Sequence, residues 1–143
     1  MVSSLAGTSL KFGDSEESNE DNSVFVKFTY LHDQQNTNRE EIALGLQVAQ
    51  PFTTSRYCLL YVDSKVGNVD FLHIYLDAGI VNLVFNMGGG VVQLKEQRRR
   101  LNDGDYHRIR VFRHGLATLL EVDELTTKHI SNGEVLQGIN DWF

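Results

Sequence analysis

At 143 residues the chain has the length of one domain, and with 41% hydrophobic and 22% charged residues it has the composition of a globular fold able to bury a core without staples. No apolar run approaches the roughly 20 residues a membrane-spanning helix needs, which argues against direct membrane insertion. The single cysteine excludes an internal disulfide or a cysteine-built metal site, and the net charge of −6 argues against general coating of nucleic acid.

The start, Met1-Val2-Ser3-Ser4-Leu5-Ala6, lacks the basic and apolar regions of a signal peptide, as a domain cut from a longer secreted chain also would. Residues 13–23 are polar and acidic and read as a solvated loop. Val24, Val26, Phe28 and Tyr30 then share one parity, the mark of a strand with one apolar face. A second acidic loop is expected over 32–41, followed by alternation at Ile42, Leu44, Leu46 and Val48. Cys58 precedes Leu59-Leu60-Tyr61-Val62; it reads either as a small buried hydrophobe on a strand or as a half-cystine whose partner lies elsewhere. Leu72, Ile74 and Leu76 interleave with Phe71, His73, Tyr75 and Asp77, and Val81, Leu83 and Phe85 follow the turn signal Asp77-Ala78-Gly79. Gly88-Gly89-Gly90 ends that run. Asn102-Asp103-Gly104-Asp105 is a second turn, ahead of Ile109 and Val111, and Arg113-His114-Gly115 a third, ahead of Leu119. Gly138-Ile139-Asn140-Asp141 reads as a loop or a short helical turn. Short strands between turns at regular spacing indicate an antiparallel sandwich in one domain spanning 1–143.

Charge is unevenly placed. Seven of the thirteen Lys and Arg, namely Lys95, Arg98, Arg99, Arg100, Arg108, Arg110 and Arg113, fall within residues 95–113. Two readings stand: a solvated sheet face, since Arg108 and Arg110 alternate with Ile109 and Val111, or a glycan- or anion-binding patch in which arginine forks grip sulfate or carboxylate. Exposed His107 and His114 would strengthen the patch below neutral pH. Aromatic residues do not interleave with these bases, so a nucleic acid partner is not expected. An enzyme reading needs two carboxylates flanking a sugar bond. Glu121 and Asp123 share a face by alternation, but Leu125 stands where jelly-roll glucanases carry a third acid, and no hydrolase is expected. Five scattered histidines give no zinc spacing.

From Glu41 to about Asp123 the chain resembles the laminin G-like family, also called LNS domains, found in laminins, neurexins, agrin and perlecan. The stretches that carry the likeness are Ile42-Ala43-Leu44-Gly45-Leu46-Gln47-Val48, Leu59-Leu60-Tyr61-Val62, Asp70-Phe71-Leu72-His73-Ile74-Tyr75-Leu76 with Asp77-Ala78-Gly79, and Leu83-Val84-Phe85-Asn86-Met87-Gly88-Gly89-Gly90. The most specific is Leu101-Asn102-Asp103-Gly104-Asp105-Tyr106-His107-Arg108-Ile109-Arg110-Val111, similar to the family's "L-N-D-G-x-W-H-x-V-x-V". Asp70-Phe71-Leu72 leans toward neurexin-type domains.

The resemblance implies an all-β, concanavalin-like sandwich or jelly roll of two curved antiparallel sheets. It implies a module of adhesion and receptor recognition, extracellular or in the ectodomain of a membrane protein. The partners implied are a cell-surface or matrix protein, or a sulfated glycan. It further implies a calcium ion, with Asp70 supplying a carboxylate and Met87 a backbone carbonyl, against the plainer reading of Asp70 as a loop-end carboxylate; Asp63 is a weaker candidate ligand. A spacer domain without ligand is the alternative. The chain departs from the family in two respects. It lacks the "Y-x-G-G" and "F-x-G-C-I" segments, so either the C-terminal strands are incomplete and an edge is left open, or the sheets close differently. It also carries Tyr106 in place of the usual Trp, expected to keep an aromatic core plug.

Overall fold

The computed structural model describes residues 39–48, 56–63 and 70–130, and the backbone of 134–137. All of them fall in one compact unit, Thr37–Phe143. The alternation at Val24–Tyr30, the loop at 13–23 and the motif at 138–141 lie outside the described residues.

The described elements are all strands: β1 (Arg39–Gln47), β2 (Arg56–Asp63), β3 (Phe71–Asp77), β4 (Ile80–Asn86), β5 (Val91–Glu96), β6 (Tyr106–His114), β7 (Ala117–Val122), β8 (Leu125–Ile130) and β9 (Glu134–Gln137). They form two antiparallel sheets, β1-β6-β7-β8-β9 and β2-β3-β4-β5, the sandwich that the period-two pattern predicts. Successive side chains on a strand point to opposite faces, so each apolar parity becomes one wall of the core. Leu72, Ile74, Leu76, Val81, Leu83, Phe85 and Leu94 line it from one sheet. Ile109, Val111, Leu120 and Val122 line it from the other, and Leu101 enters from the connector between β5 and β6. Side chains such as Ile74, Leu83, Ile109 and Leu120 are wholly buried, and burial of this kind stabilises by roughly 1.5–3 kcal/mol per residue.

The β3–β4 hairpin turns through Ala78 (φ 49°) and Gly79 (φ 82°), both left-handed, as a two-residue turn matched to strand twist requires. The Asn102 side chain packs so closely on Gly79 that a Cβ there would meet its amide oxygen at 2.1 Å. Leu101 N donates to Gly79 O at 2.8 Å. Hairpin and connector are thereby pinned to each other.

Strand bounds differ from the sequence expectation at two places, and burial at two more. Residues 39–41, expected in an acidic loop, begin β1, because pairing to Phe112, Arg113 and His114 gives their backbone a ladder partner. Arg113 and His114 likewise finish β6, and the turn falls at Gly115 and Leu116. Cys58 lies on β2 as expected but is exposed, near the register shift between Cys58 and Leu60. Tyr106, expected as a core plug, is 69% exposed. It has the opposite parity to His107, Ile109 and Val111, which occupy the inner face.

One buried charge joins the sheets. Glu96, at the end of β5, is 1% exposed. Its carboxylate accepts Arg98 Nε at 2.8 Å, Arg98 N at 2.9 Å and Thr127 Oγ1 of β8 at 2.9 Å, and it also accepts Arg98 Nη2. Arg98 Nη2 continues to the Thr126 carbonyl at 2.7 Å. Burial pushes the Glu96 carboxyl up, but these bonds and the guanidinium charge outweigh it and hold the group below the usual carboxylate range. A lowered native value means that the stabilisation is full above the ordinary glutamate value and is lost as pH falls through the native one. Glu96→Ala should therefore lower the urea midpoint by the equivalent of about 3 kcal/mol and Thr127→Val by about 1 kcal/mol. A Glu96→Ala midpoint equal to wild type would show that the apolar layer alone holds the sheets.

Candidate functional site

Strand register sorts the candidate residues onto two ends of the sandwich. At one end β2 finishes at Asp63, β3 starts at Phe71 opposite Asn86, and β5 starts at Val91, also opposite Asn86. Asp70 and Met87 each lie one residue beyond the Phe71–Asn86 pair, so they adjoin at this rim. The Asn86 side-chain oxygen accepts Gly88 N and Gly90 N, both at 3.1 Å, and so shapes the Met87-Gly88-Gly89-Gly90 turn. Asp63 and Asp70 are exposed. Among the described residues no three His, Cys, Asp or Glu side chains converge as a metal cluster. The chemistry offered is hard oxygen only, a carboxylate and a carbonyl, which suits calcium and supplies part of the six to eight oxygens it takes.

At the other end lie the Asp77–Ile80 hairpin, the Glu96 end of β5 and, through Leu101 and Arg98, the Asn102-Asp103-Gly104 connector and the β7–β8 turn. The basic residues of 95–113 do not gather into one patch. Lys95 alternates with inward-facing Leu94 and Glu96, which sets it on the outer face of its sheet, whereas Arg108 and Arg110 share the outward parity of the other. Most of the guanidinium groups are engaged within the chain. Arg98 holds Glu96, Arg99 lies 3.7 Å from Asp123, and Arg100 donates to the Ala78 carbonyl at 2.7 Å. Arg110 reaches Glu41 at 3.1 Å and Glu121 at 3.5 Å and stacks 4.7 Å over Phe112, and Arg113 donates to Glu40 at 3.0 Å. Of these seven bases, Arg108 and Lys95 keep their side chains outside these contacts.

The two acids weighed for glycosidase chemistry also separate. Glu121 faces Arg110, while Asp123 leaves the strand for the β7–β8 turn at φ 54°, a conformation that Asp tolerates better than most residues. Asp123 is fully occupied. Its Oδ1 accepts Arg108 N at 3.0 Å, its own N donates to Arg108 O at 2.7 Å, and its Oδ2 faces His107 Nδ1 at 2.9 Å.

His107, expected to be exposed, is 3% exposed, because its parity is that of Ile109 and Val111. Its Nε2 lies 2.8 Å from Asp103 Oδ1, so both ring nitrogens face carboxylates. Ionised carboxylates only accept, so the protonated ring, with hydrogen on both nitrogens, is the form that satisfies both contacts. Burial lowers the His107 pKa, but the Asp103 and Asp123 bonds and charges outweigh it and raise it overall. The Asp103 pKa is lowered by the His107 and Asp105 N–H bonds. Burial raises that of Asp123, but the Arg108 amide, His107 and Arg99 bring it below its usual range. This clasp of connector, β6 and turn escaped the sequence reading, although its signal was present: an Asp four residues before an inward-parity His.

The signs set a pH window. The raised His107 value means that its stabilisation is full below the ordinary imidazole value near 6.5 and is lost as pH rises through the native value; the lowered aspartates contribute above their ordinary values and lose this as pH falls through their native ones. Urea unfolding across pH should show wild type losing stability on the alkaline side, with His107→Gln flat there and less stable below neutral. Parallel profiles for the two proteins would mean that the ring is neutral in the fold.

Comparison with known proteins agrees with this architecture. The laminin G domain family model matches residues 52–141. Human neurexin-3-beta is 32% identical over 110 residues, covering 76% of this chain and 17% of that protein. Zebrafish (Danio rerio) neurexin-1a-beta is 31% identical over 120 residues, covering 84% of this chain and 24% of that protein. The chain thus spans less than a quarter of the length of either relative. Among solved structures, domains LG4-5 of the mouse laminin alpha1 chain superpose with a TM-score of 0.57 at 18% identity, over 69% of this chain and 25% of that one. The LG1-3 region of the laminin alpha2 chain superposes with a TM-score of 0.53, also at 18% identity, over 76% and 20%. With a family model covering most of its length and the two-sheet fold to match, the chain belongs to the laminin G domain family.

Proposed function

We propose that this chain is an extracellular recognition module that meets a cell-surface or matrix protein, or a glycan, through loops at its rims, with a calcium ion seated at the rim of Asp70 and Met87. The observation that carries this reading is the adjacency of those two residues beyond the Phe71–Asn86 pair, with Asp70 exposed and not ion-paired among the described residues. Strands packed on a dry core hold the rim in place, and the loops between them are free to vary, the usual division of labour in a binding fold. Calcium there would add positive charge to a rim where Asp63 and Asp70 expose carboxylates, and so prepare it for an anionic partner group. The engagement of Glu121 by Arg110 and of Asp123 by three partners supports binding over hydrolysis. The scatter of these bases, with Lys95 on the outer face of one sheet, Arg108 and Arg110 on that of the other and Arg98, Arg99 and Arg100 in the connector between β5 and β6, supports a localised contact over a broad sulfated-glycan strip.

Calorimetric titration with calcium chloride tests this. Wild type should bind, Asp70→Ala should lose at least tenfold in affinity (about 1.4 kcal/mol) with its unfolding midpoint in chelator unchanged, and Asp63→Ala should lose less. No heat from wild type at millimolar calcium would favour a spacer, and undiminished binding by Asp70→Ala would move the ion elsewhere.

A further inference from the structure

Beside the His107 clasp lies an open recess of about 290 Å³ lined by Tyr106, Arg108, Asp123 and Glu124. It sits at the opposite end of the sandwich from Asp70 and Met87. We propose that this recess is a subsite for a hexuronic acid residue of a glycan, with the sugar face on the Tyr106 ring, the carboxylate on the Arg108 guanidinium and hydroxyls on the Glu124 carboxylate.

Each part of that assignment has its own observation. Tyr106 is 69% exposed although a phenol ring gains by burial, and its ring lies across β1 at Gly45. A Cβ on Gly45 would fall 1.8 Å from the Tyr106 hydroxyl and 2.6 Å from its Cζ, so the missing side chain is what makes room for the phenol there. Arg108 stands two residues along the same outward face, with its side chain outside the ion pairs that engage Arg98, Arg99, Arg110 and Arg113. A guanidinium fork grips a carboxylate through two parallel bonds. Glu124 is exposed beside Asp123 in the β7–β8 turn. Asp123 itself is a wall and not a contact, since His107, Arg99 and the Arg108 amide already hold it. These bonds fix the recess before any ligand arrives, which lowers the entropy lost on binding.

The charges choose among ligands. One available cation and one available anion beside an aromatic face match a ring that carries one carboxylate and several hydroxyl donors. A densely sulfated chain would need several available cations close together, and the neighbouring arginines are engaged. A neutral sugar would leave Arg108 unanswered.

The inference deepens the glycan side of the proposed recognition role but does not involve calcium, so the two fail separately. The test is a titration of the ¹⁵N-labelled chain, below the His107 transition, with an unsulfated uronate-containing tetrasaccharide, a neutral chitin tetrasaccharide and a heparin tetrasaccharide. The uronate should shift the Tyr106, Arg108 and Glu124 amides, and the neutral sugar should bind about tenfold more weakly. Arg108→Gln and Tyr106→Ala should each weaken the uronate about tenfold. Gly45→Ala, which displaces the Tyr106 ring and substitutes no lining residue, should reproduce the Tyr106→Ala loss. Equal binding of neutral and acidic sugars would overturn the role of Arg108. Uronate affinity unchanged in Arg108→Gln and Tyr106→Ala, shifts confined to the Asp70 rim, or no shift at millimolar uronate would overturn the subsite, and the calcium titration would still report on the other rim. Heparin binding that is tighter, steeply salt-dependent and insensitive to Arg108→Gln would replace the subsite with a general anion surface.

Discussion

The apolar layer shared by the two sheets is the constraint on which everything else in this domain rests. Leu72, Ile74, Leu76, Val81, Leu83 and Leu94 on one side and Ile109, Val111, Leu120 and Val122 on the other leave almost no surface to water. An ionisable group that enters such a layer must bring its partners or lose its charge. Glu96 and His107 both enter it at its edges, and both arrive fully bonded. The two groups act on different connections. Glu96 joins β5 to β8 across the sheets, while His107 joins the β5–β6 connector to the β7–β8 turn along one end.

These two bolts also determine what the surface can do. Arg98 and Arg99 pair with Glu96 and Asp123, and Arg110 and Arg113 answer Glu41, Glu121 and Glu40 of neighbouring strands. A run of bases that looks like one electrostatic feature becomes a set of local neutralisations, each modest where it is exposed. In the roles proposed above, recognition falls to the few groups that the fold leaves unanswered: the Asp70 and Met87 rim, and the Tyr106–Arg108 recess at the other end. Each is a site of a few groups, and each is held by residues that take no part in contact.

Much of the fold was legible in the sequence because strand alternation is a local code. The parity of Leu72, Ile74 and Leu76, the turn at Asp77-Ala78-Gly79 and the run from Leu101 to Val111 each announce their element without reference to any distant residue. The same parity rule gives the right answer at Tyr106, where the family likeness did not, and at His107, where the reading of the basic patch did not: the aromatic residue faces out and the histidine faces in. Where strands end was less legible, because β1 begins at Arg39 and β6 runs to His114 only by virtue of pairing with each other.

Sequence by itself determined that this is a two-sheet all-β domain of a recognisable family, since side-chain period and turn chemistry act over a few residues. Only the tertiary structure decided which charges are available. Glu40 and Arg113, Glu41 and Arg110, and His107 and Asp123 meet through strand order and register, and an ion pair between residues far apart in the chain leaves no mark in either local stretch. Arg108 became a candidate contact, and Arg98 a structural strut, by what the fold set against each of them.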